Sequence, residues 1–356
     1  MPVNIASIIF EKKFLEKPEV AIVILNYNGR SFLEKFLPSI IATTYSANKI
    51  YVADNASTDD SVEFLQNHFP QIQLIPLEKN YGYAGGYNQA LQNLEEPYFI
   101  LLNSDIEVES GWIEPVIELM ETDKKIASCQ PKILSYKDKS MFEYAGAAGG
   151  WIDILGYPFA RGRVFETCEK DLGQYNDLAE VFWASGAAMF IRSEIFKQLG
   201  GLNAHFFAHM EEIELCWRIH LAGLKVAYCP QSIVYHVGGG TLPKGNSRKV
   251  FLNFRNNLWM LFIHLPLEEK VWKLPIRFLL DMLFAMKSLL SGHFGDSCSV
   301  LRAWTKVVFT PLPIQGKTMP LRKKMNSIPG VYNGSLLWEY YAHGKKFFSK
   351  IVKKKL

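Results

Sequence analysis

The first hundred residues alternate short, continuous apolar runs with segments of helical periodicity. The apolar runs have the length of strands that are buried on both faces of a sheet. Four strands are predicted, at residues 20–25, 50–53, 72–77 and 98–102, of which the third is interrupted by Gln73. Between them, segments 31–42 and 84–94 repeat their apolar residues at helical spacing. This alternation predicts parallel strands joined by right-handed crossovers, which is the architecture of half of a nucleotide-binding α/β domain.

A third helix and a change of pattern complete the prediction from periodicity. Ser57 has the position of a helix N-cap, and Asp59 and Asp60 follow where the helix dipole favours acidic side chains. Farther along, the chain becomes irregular and rich in Gly and aromatic residues, as expected where loops form a pocket. Strand character returns at 226–237, and the composition then shifts near 244–247. The predicted units are an N-terminal extension at 1–18, an α/β domain at 19–245 and a helical C-terminal region at 246–356, which we expect to associate with a membrane.

Polar side chains end three of the four predicted strands. They are Asn26 and Asn28, then Asp54 and Asn55, then Asn103, Ser104 and Asp105. The carboxyl ends of parallel strands meet at one edge of a sheet, which is where open α/β folds bind their ligands. We therefore expect these side chains to line one crevice.

A Gly-rich loop opens the helix between the third and fourth strands. Its candidate ligand-binding residues are Asn80, Gly82, Gly85, Gly86 and Asn88. Backbone N–H groups at such a helix N-terminus can approach a phosphate or a sugar. A dinucleotide-binding oxidoreductase would carry its Gly-rich turn after the first strand, where this chain has Asn-Tyr-Asn-Gly. That class of enzyme is therefore disfavoured.

Six motifs in a fixed order resemble those of the family 2 glycosyltransferases of GT-A fold, especially the bacterial rhamnosyltransferase-like branch. The motifs are NYN from Asn26, DNASTDD from Asp54, NYGYAGGYN from Asn80, NSD from Asn103, FFAHMEEIELCWR from Phe206 and HVGGGTL from His236. The resemblance covers about residues 19–245 and implies a Rossmann-like mixed sheet with helices on both faces. It also implies inverting transfer of one sugar from a nucleotide-diphosphate donor, a UDP- or dTDP-sugar, to a lipid-linked saccharide in cell-surface polysaccharide synthesis. Transfer to a soluble or protein acceptor, and an inactive nucleotide-sugar-binding protein, are the alternatives.

The resemblance also implies roles for individual residues. Asp54 would contact the nucleobase, the loop Asn80–Asn88 would line the donor site, and Asp105 stands in the place of the family's metal-binding DxD motif. This chain keeps only the last carboxylate of that triplet, with Asn103 at its first position. His236 has the position of the family's histidine that contacts metal and diphosphate. The expected cofactor is a divalent cation, Mg²⁺ or Mn²⁺, because hard cations combine few carboxylates with water and phosphate oxygens.

An inverting transfer also needs a carboxylate that takes the proton from the acceptor hydroxyl. In the family this base belongs to a Glu-Asp pair, and the matching residues here are Glu211 and Glu212. Glu replaces Asp at 212 and at 214, which lengthens each side chain by one methylene. We expect Glu212 to be the catalytic base, with Glu211 as the alternative. Without a catalytic role, both would lie on a solvated acidic face of a helix.

Charge is distributed unevenly along the chain. Sixteen Lys and Arg against five Asp and Glu give residues 266–356 a net charge of +11, which leaves −7 for the residues before them. No run reaches the roughly 20 apolar residues of a membrane-spanning helix. Lys273, Arg277 and Asp281 recur every four residues, which predicts a helix that lies on a membrane or packs on a partner. The final stretch, KKFFSKIVKKKL, favours anionic lipid; binding to nucleic acid and simple solvation are the alternatives.

The remaining composition is consistent with a cytoplasmic protein. The five cysteines are odd in number and scattered, so neither a disulfide framework nor a zinc site is indicated, and a reducing compartment fits best. The N-terminus lacks the pattern of a secretory signal. We expect a protein attached peripherally to the inner face of the plasma membrane. Its expected partners are a nucleotide-diphosphate sugar, a lipid-linked or other saccharide acceptor and an anionic membrane surface, but no nucleic acid.

Overall fold

The computed structural model describes residues 17–238, 246–314 and 322–352. The predicted N-terminal extension lies outside these residues, apart from its last two. The strands are β1 (Val20–Asn26), β2 (Asn48–Asp54), β3 (Gln73–Pro76), β4 (Tyr98–Asn103), β5 (Ile106–Val108), β6 (Ile126–Ser135), β7 (Gly150–Asp153), β8 (Pro158–Ala160), β9 (Arg163–Val164), β10 (Thr167–Cys168), β11 (Ala179–Glu180), β12 (Ala188–Arg192), β13 (Lys225–His236) and β14 (Val331–Tyr332). The α-helices are α1 (Arg30–Ile41), α2 (Ser61–His68), α3 (Gly82–Leu91), α4 (Glu114–Thr122), α5 (Ser193–Gln198), α6 (Glu211–Leu221), α7 (Ser247–His264), α8 (Leu267–Leu290), α9 (Phe294–Phe309) and α10 (Phe348–Ile351).

The main sheet is mixed, with a parallel core. Its strands lie in the order β11-β13-β6-β12-β4-β1-β2-β3, and β5 pairs with β13. Strand β1 runs parallel to β2 and β4, and β2 runs parallel to β3. Strand β12 enters antiparallel between β4 and β6. The predicted parallel core and mixed sheet are therefore confirmed.

Both faces of this sheet are covered, as the continuous apolar strands predicted. In β1, Val20, Ile22 and Ile24 belong to one buried cluster, whereas Ala21 and Val23 belong to the other. Buried side chains of α1, α2 and α4 pack in the first cluster, and those of α3, α5 and α6 in the second. A strand that is apolar at every position suits such a two-sided core, because successive side chains point to opposite faces.

The strand register brings the polar strand ends to one edge. Asn26 lies opposite Asp54, and Leu25 lies opposite Asn103. At the neighbouring position, β13 pairs antiparallel with β5 and places His236 opposite Ile106. The common edge that the sequence predicted is therefore present.

Helix α2 begins later than predicted. It starts at Ser61, and Ser57 is not its N-cap. The reason is that the Ser57 hydroxyl accepts hydrogen bonds from Asn26 Nδ2 at 3.1 Å and from the backbone N–H of Asn28 at 2.9 Å. These partners at the end of β1 occupy the oxygen that a helix cap would need.

The C-terminal region packs on the α/β domain and contributes to it. Strand β14 pairs in parallel with β7, in a second sheet of order β10-β9-β8-β7-β14. The backbone N–H of Phe348 donates to Glu169 Oε1 at 2.9 Å, and Phe348 and Ile351 are buried. Phe348 and Ile351 are therefore packed inside the protein, although they belong to the stretch that was expected to bind anionic lipid. The lysines at 353–355 lie outside the described residues.

Helix α8 is amphipathic, but its polar stripe points inward. Lys273, Arg277 and Asp281 are buried, as their spacing on one stripe allows. Arg277 donates to the carbonyl of Leu155 at 2.9 Å, and Asp281 accepts from the Trp304 indole at 3.0 Å. The apolar side of the helix is consequently exposed. None of the helices in the described part of the chain combines the length and hydrophobicity that a membrane span requires.

Candidate functional site

The ends of β1 and β2 are joined by buried polar side chains. Asn26 Nδ2 donates to Asp54 Oδ1 at 3.0 Å, and both residues are buried. The backbone N–H of Ser57 donates to the other oxygen, Asp54 Oδ2, at 2.9 Å. Asn28 has a positive φ of 52°, and its Oδ1 accepts from the backbone of Thr58 at 2.7 Å. These residues fix the turn after β2 and hold the Asp54 carboxylate from two sides.

The Gly-rich loop is held by Asn55, which follows Asp54 at the polar end of β2. Asn55 Oδ1 accepts from the backbone of Tyr81 at 2.9 Å, and its Nδ2 donates to Asn80 Oδ1 at 3.1 Å. Gly82 has a φ of +72°, and a Cβ added there would lie 2.5 Å from the ring of Phe207. The glycine is therefore required both for the backbone conformation and for close packing.

The later residues of the predicted loop belong to α3 itself, because the helix begins at Gly82. A Cβ added at Gly86 would lie 2.8 Å from Leu25, and Gly85 is buried in the same turn. Asn88 uses its amide on one residue: Oδ1 accepts from the N–H of Leu202 at 2.9 Å, and Nδ2 donates to the carbonyl of Leu202 at 2.7 Å. This pairing gives Asn88 a structural role and does not support the predicted contact with a donor.

Asp105 and His236 meet although they are far apart in sequence. His236 Nε2 lies 3.2 Å from Asp105 Oδ1, and both side chains are buried. Asn103 Nδ2 lies 3.5 Å from the same nitrogen. Ser104 lies beside Gly29, where an added Cβ would be 3.4 Å from the serine hydroxyl. The structure thus brings the two predicted metal ligands together.

Glu143 is a third buried member of this group, and no sequence pattern pointed to it. Its Oε2 lies 3.1 Å from His236 Nδ1. Burial disfavours a charge on His236, but the carboxylates of Glu143 and Asp105 outweigh it and raise the histidine pKa to about 10. Burial likewise disfavours the charged form of Asp105, but its contact with His236 holds its pKa below the ordinary value. A proton on His236 therefore compensates the two carboxylates.

The arrangement of Asp105 and His236 fits two ligands of a divalent cation. Neighbouring ligands of an octahedral Mg²⁺ ion, at roughly 2.1 Å from the metal, lie about 3 Å apart. Asp105 Oδ1 and His236 Nε2 are 3.2 Å apart. Within the described ranges, no group of three or more His, Cys, Asp or Glu side chains is arranged to hold a metal. A cation here would displace the proton from His236 Nε2, because only a neutral imidazole nitrogen can bind a metal, and it would complete its coordination shell with water and phosphate oxygens.

The two acidic residues at the start of α6 have buried oxygens that the protein does not use. Glu211 is buried and Glu212 is partly buried, and the Oε2 atom of each lacks a hydrogen-bond partner among the described residues. Burial raises the pKa of Glu212 to about 7. Burial and the charge of Glu212 raise the pKa of Glu211 well above its ordinary value. A carboxyl group that titrates near neutrality is suited to general acid–base chemistry.

Glu214, the third acidic residue of this helix, has the opposite environment. It forms ion pairs with Arg218 at 2.7 Å and with His264 Nε2 at 2.8 Å. Burial disfavours its charge, but these partners outweigh it and lower the pKa of Glu214 to about 2. Glu214 is therefore a member of a structural ion pair, which leaves Glu211 and Glu212 as the candidates for proton transfer.

Two tyrosines of α3, Tyr83 and Tyr87, form an aromatic pair. The ring centroids of Tyr83 and Tyr87 are 4.8 Å apart. Burial raises the pKa of Tyr83, and the nearby carboxylates of Glu211 and Glu212 raise it further. Burial also raises the pKa of Tyr87, with a contribution from Asp105.

Comparison with known families identifies the class to which this site belongs. The family model described as Glycosyl transferase family 2 matches residues 21–200, which is half of the chain and includes β1 to β4. The chain therefore belongs to glycosyl transferase family 2, and it is a glycosyltransferase.

Individual relatives agree with the predicted rhamnosyltransferase-like branch. The chain is 25% identical to the N-acetylglucosaminyl-diphospho-decaprenol L-rhamnosyltransferase of Mycobacterium tuberculosis (strain ATCC 25618 / H37Rv) over 292 residues, covering 75% of this chain and 91% of the relative. It is also 25% identical to the rhamnosyltransferase WbbL of Escherichia coli (strain K12) over 226 residues, covering 61% of this chain and 83% of the relative. The resemblance that the motif order indicated is confirmed.

A solved structure shows the same fold. The crystal structure of GalNAc-T7 with UDP, GalNAc and Mn²⁺ matches with a TM-score of 0.55 and 18% identity, covering 69% of this chain and 49% of that chain. At this identity the likeness concerns the fold alone. It confirms the predicted GT-A class.

Proposed function

We propose that this chain is an inverting glycosyltransferase that moves one sugar from a UDP- or dTDP-sugar to a hydroxyl of a lipid-linked saccharide in cell-surface polysaccharide synthesis. The observation that carries the proposal is the pair Glu211 and Glu212 at the start of α6, each with one buried oxygen that lacks a hydrogen-bond partner among the described residues. A lipid-linked acceptor is supported by the name of the mycobacterial relative, which specifies a diphospho-decaprenol compound.

In this mechanism Glu212 takes the proton from the acceptor hydroxyl while the hydroxyl oxygen attacks the anomeric carbon. The bond between that carbon and the nucleoside diphosphate breaks on the opposite face, so the configuration inverts. A pKa of about 7 allows Glu212 to accept a proton near neutrality. Burial and the charge of Glu212 also raise the pKa of Glu211, which is the alternative base.

The donor diphosphate would bind next to Asp105 and His236, the residues that would hold Mg²⁺ or Mn²⁺. When bound there, the ion neutralises charge that develops on the departing diphosphate. Glu143 contacts His236 Nδ1 and thereby leaves Nε2 facing the ion site. The other donor contacts that remain predictions are Asn26, Asn28, Asp54, Asn80, Gly82, Gly85, Gly86, Asn103 and Ser104.

The proposal includes peripheral attachment to the cytoplasmic face of the plasma membrane, supported by the outward faces of α8 and α9. Their exposed apolar side chains are Leu267, Val271, Trp272, Ile276, Phe278, Leu279, Leu283, Phe284, Met286, Leu289, Leu290, Phe294, Leu301, Val308 and Phe309. The exposed basic residues Lys287, Arg302 and Lys306 belong to the same helices. An anionic membrane surface is complementary to both, because apolar side chains enter the interface while basic ones contact lipid phosphates.

The test is turnover with a panel of UDP- and dTDP-sugars, offered with a polyprenyl-diphosphate saccharide and with a soluble glycoside of the same sugar. The anomeric configuration of the product is read by NMR. We expect inversion and faster transfer to the lipid-linked acceptor. Transfer to the soluble glycoside alone would favour the alternative acceptor, and donor binding without turnover would indicate an inactive binding protein. Retention of configuration would refute the role given to Glu212.

A further inference from the structure

The turn that leads into α6 has an unusual backbone. Phe207, His209 and Met210 adopt positive φ angles of 67°, 71° and 72°. The left-handed conformation costs roughly 1–2 kcal/mol for a residue that carries a side chain. Such a turn persists only where its surroundings hold it. This one ends directly before Glu211, the first of the two acidic residues.

Asn256 of α7 holds the carbonyl groups of this turn. Its side chain is fully buried. Its Nδ2 donates to the carbonyl oxygens of Phe206 at 3.0 Å and His209 at 2.7 Å. The carbonyl oxygen of Ala208 lies 2.9 Å from the same nitrogen. One side-chain amide therefore contacts three carbonyl oxygens within the four consecutive residues 206–209.

Arg255 fixes the orientation of this amide. Its Nε and Nη2 donate to Asn256 Oδ1 at 2.9 Å and 2.8 Å, so Nδ2 has to face the turn. Arg255 Nη2 also donates to the carbonyl oxygens of His205 at 3.1 Å and Phe206 at 3.0 Å. The amide is thus set in place before any substrate arrives.

On its other side, the turn contacts the Gly-rich loop. The carbonyl oxygen of Phe207 accepts from the backbone N–H groups of Tyr83 at 2.7 Å and Ala84 at 3.2 Å. The missing side chain of Gly82 leaves the space that the Phe207 ring fills. The turn therefore connects the loop predicted to bind the donor, the start of α6 and the C-terminal helix α7.

We propose that Asn256 is a positioning residue of the transfer reaction: by holding the left-handed turn, it sets where Glu212 stands relative to the Gly-rich loop. This inference rests on the proposed function of Glu212. It gives α7 a part in the reaction, in a region that the sequence assigned to membrane attachment. A merely structural asparagine would affect stability alone. A positioning residue also affects kcat, because misplacing a reacting group by about 1 Å costs roughly 100-fold in rate.

The test compares Asn256→Ala and Asn256→Asp with Asn257→Ala in the full-length protein. Asn257 is a matched control, because it is the next residue of α7 and is also buried, but its amide contacts Gly156 and Arg277, each at 2.8 Å. We expect kcat to fall roughly 100-fold in Asn256→Ala, with little change in the donor KM. Asn256→Asp should be slower still, because it turns a carboxylate oxygen toward the three carbonyls. Asn257→Ala should lower the melting temperature and leave kcat unchanged.

Two more measurements separate this inference from the function on which it rests. In a Glu212→Gln background, Asn256→Ala should cost less than about threefold in kcat, because it acts through a group already removed. Hydrogen exchange of residues 206–212 should increase in Asn256→Ala and not in Asn257→Ala. Equal kcat values for these two alanine variants would overturn the inference. Full activity of Glu212→Gln would instead refute the proposed base, whatever Asn256→Ala does.

Discussion

Replacing two exposed leucines of α8 by serine should weaken binding to anionic vesicles by one to three orders of magnitude. Leu279 and Leu283 lie one helical turn apart and are 63% and 61% exposed. Full burial of a leucine contributes about 1.5–3 kcal/mol, so the exposed parts of both contribute about 2–4 kcal/mol on entering a bilayer. Since 1.4 kcal/mol is a factor of ten, the double variant Leu279→Ser/Leu283→Ser should bind roughly 20- to 500-fold more weakly.

A matched control comes from another part of the surface. Leu172 and Leu178 lie between β10 and β11 and are 78% and 54% exposed, so Leu172→Ser/Leu178→Ser removes a similar exposed apolar area. Neither double variant removes a buried contact, and both should keep the melting temperature of the natural sequence. The control pair should bind vesicles as the natural sequence does. This comparison separates the position of the leucines from the general hydrophobicity of the protein.

The assay is co-sedimentation with phosphatidylglycerol-containing and with purely phosphatidylcholine vesicles, at low and high salt. Binding should weaken but persist at high salt, because only the contribution of basic residues such as Lys287 and Arg302 is screened. Equal binding of the α8 variant and the control variant would refute insertion of this face. Truncation at Lys345 is a poorer test, because it would also remove the buried Phe348 and Ile351.

Four further predictions concern the reaction itself. Asp105→Ala should abolish transfer and the binding of Mn²⁺ measured by electron paramagnetic resonance, while circular dichroism shows an intact fold; full activity in chelator would remove the cation from the mechanism. Glu212→Gln should lower kcat roughly 100-fold with little change in donor affinity. The kcat of the natural sequence should rise with pH to a plateau above about 7, because Glu212 acts only when deprotonated; an inactive Glu211→Gln beside an active Glu212→Gln would reassign the base. Glu143→Gln should weaken Mn²⁺ binding about 10- to 100-fold, because this carboxylate orients His236, and an unchanged affinity would contradict that role.

The parallel core and its polar edge were predictable because both follow from local pattern. Each of β1, β2 and β4 ends its apolar run in a polar side chain, and parallel pairing necessarily aligns those ends. Asp105 and His236 are far apart in sequence, so no local pattern predicts their contact. Only the order of the motifs, through the family resemblance, indicated that both belong to one site. The opposite pKa shifts of Glu212 and Glu214 were not predictable, because residue type and spacing do not show which carboxylate is buried without a partner and which forms an ion pair.

The residues that the sequence did not reveal act through contacts between distant segments. Glu143 lies in an irregular Gly-rich stretch, and its partner His236 ends a strand much later in the chain. Asn256 lies on a helix whose pattern predicts only packing, and it reaches a turn of the preceding domain. Polar residues in helices and loops are common, so only the tertiary structure shows which of them meet a strained backbone or a buried histidine. The same reasoning explains why Ser57 was mistaken for a helix cap.

The orientation of α8 could not be predicted from its sequence pattern. A polar stripe with a four-residue repeat is equally compatible with an inward or an outward face. Buried charges are tolerated only when partners compensate the loss of hydration. Here Arg277 finds Asn257 Oδ1 at 2.8 Å, and Asp281 finds the Tyr157 hydroxyl at 3.2 Å and the indole of Trp304 at 3.0 Å. Because these partners belong to other elements, the sequence of α8 alone does not predict these contacts. Their presence turns the charged stripe toward the protein and leaves the apolar stripe facing outward, which is the arrangement that a membrane-bound helix requires.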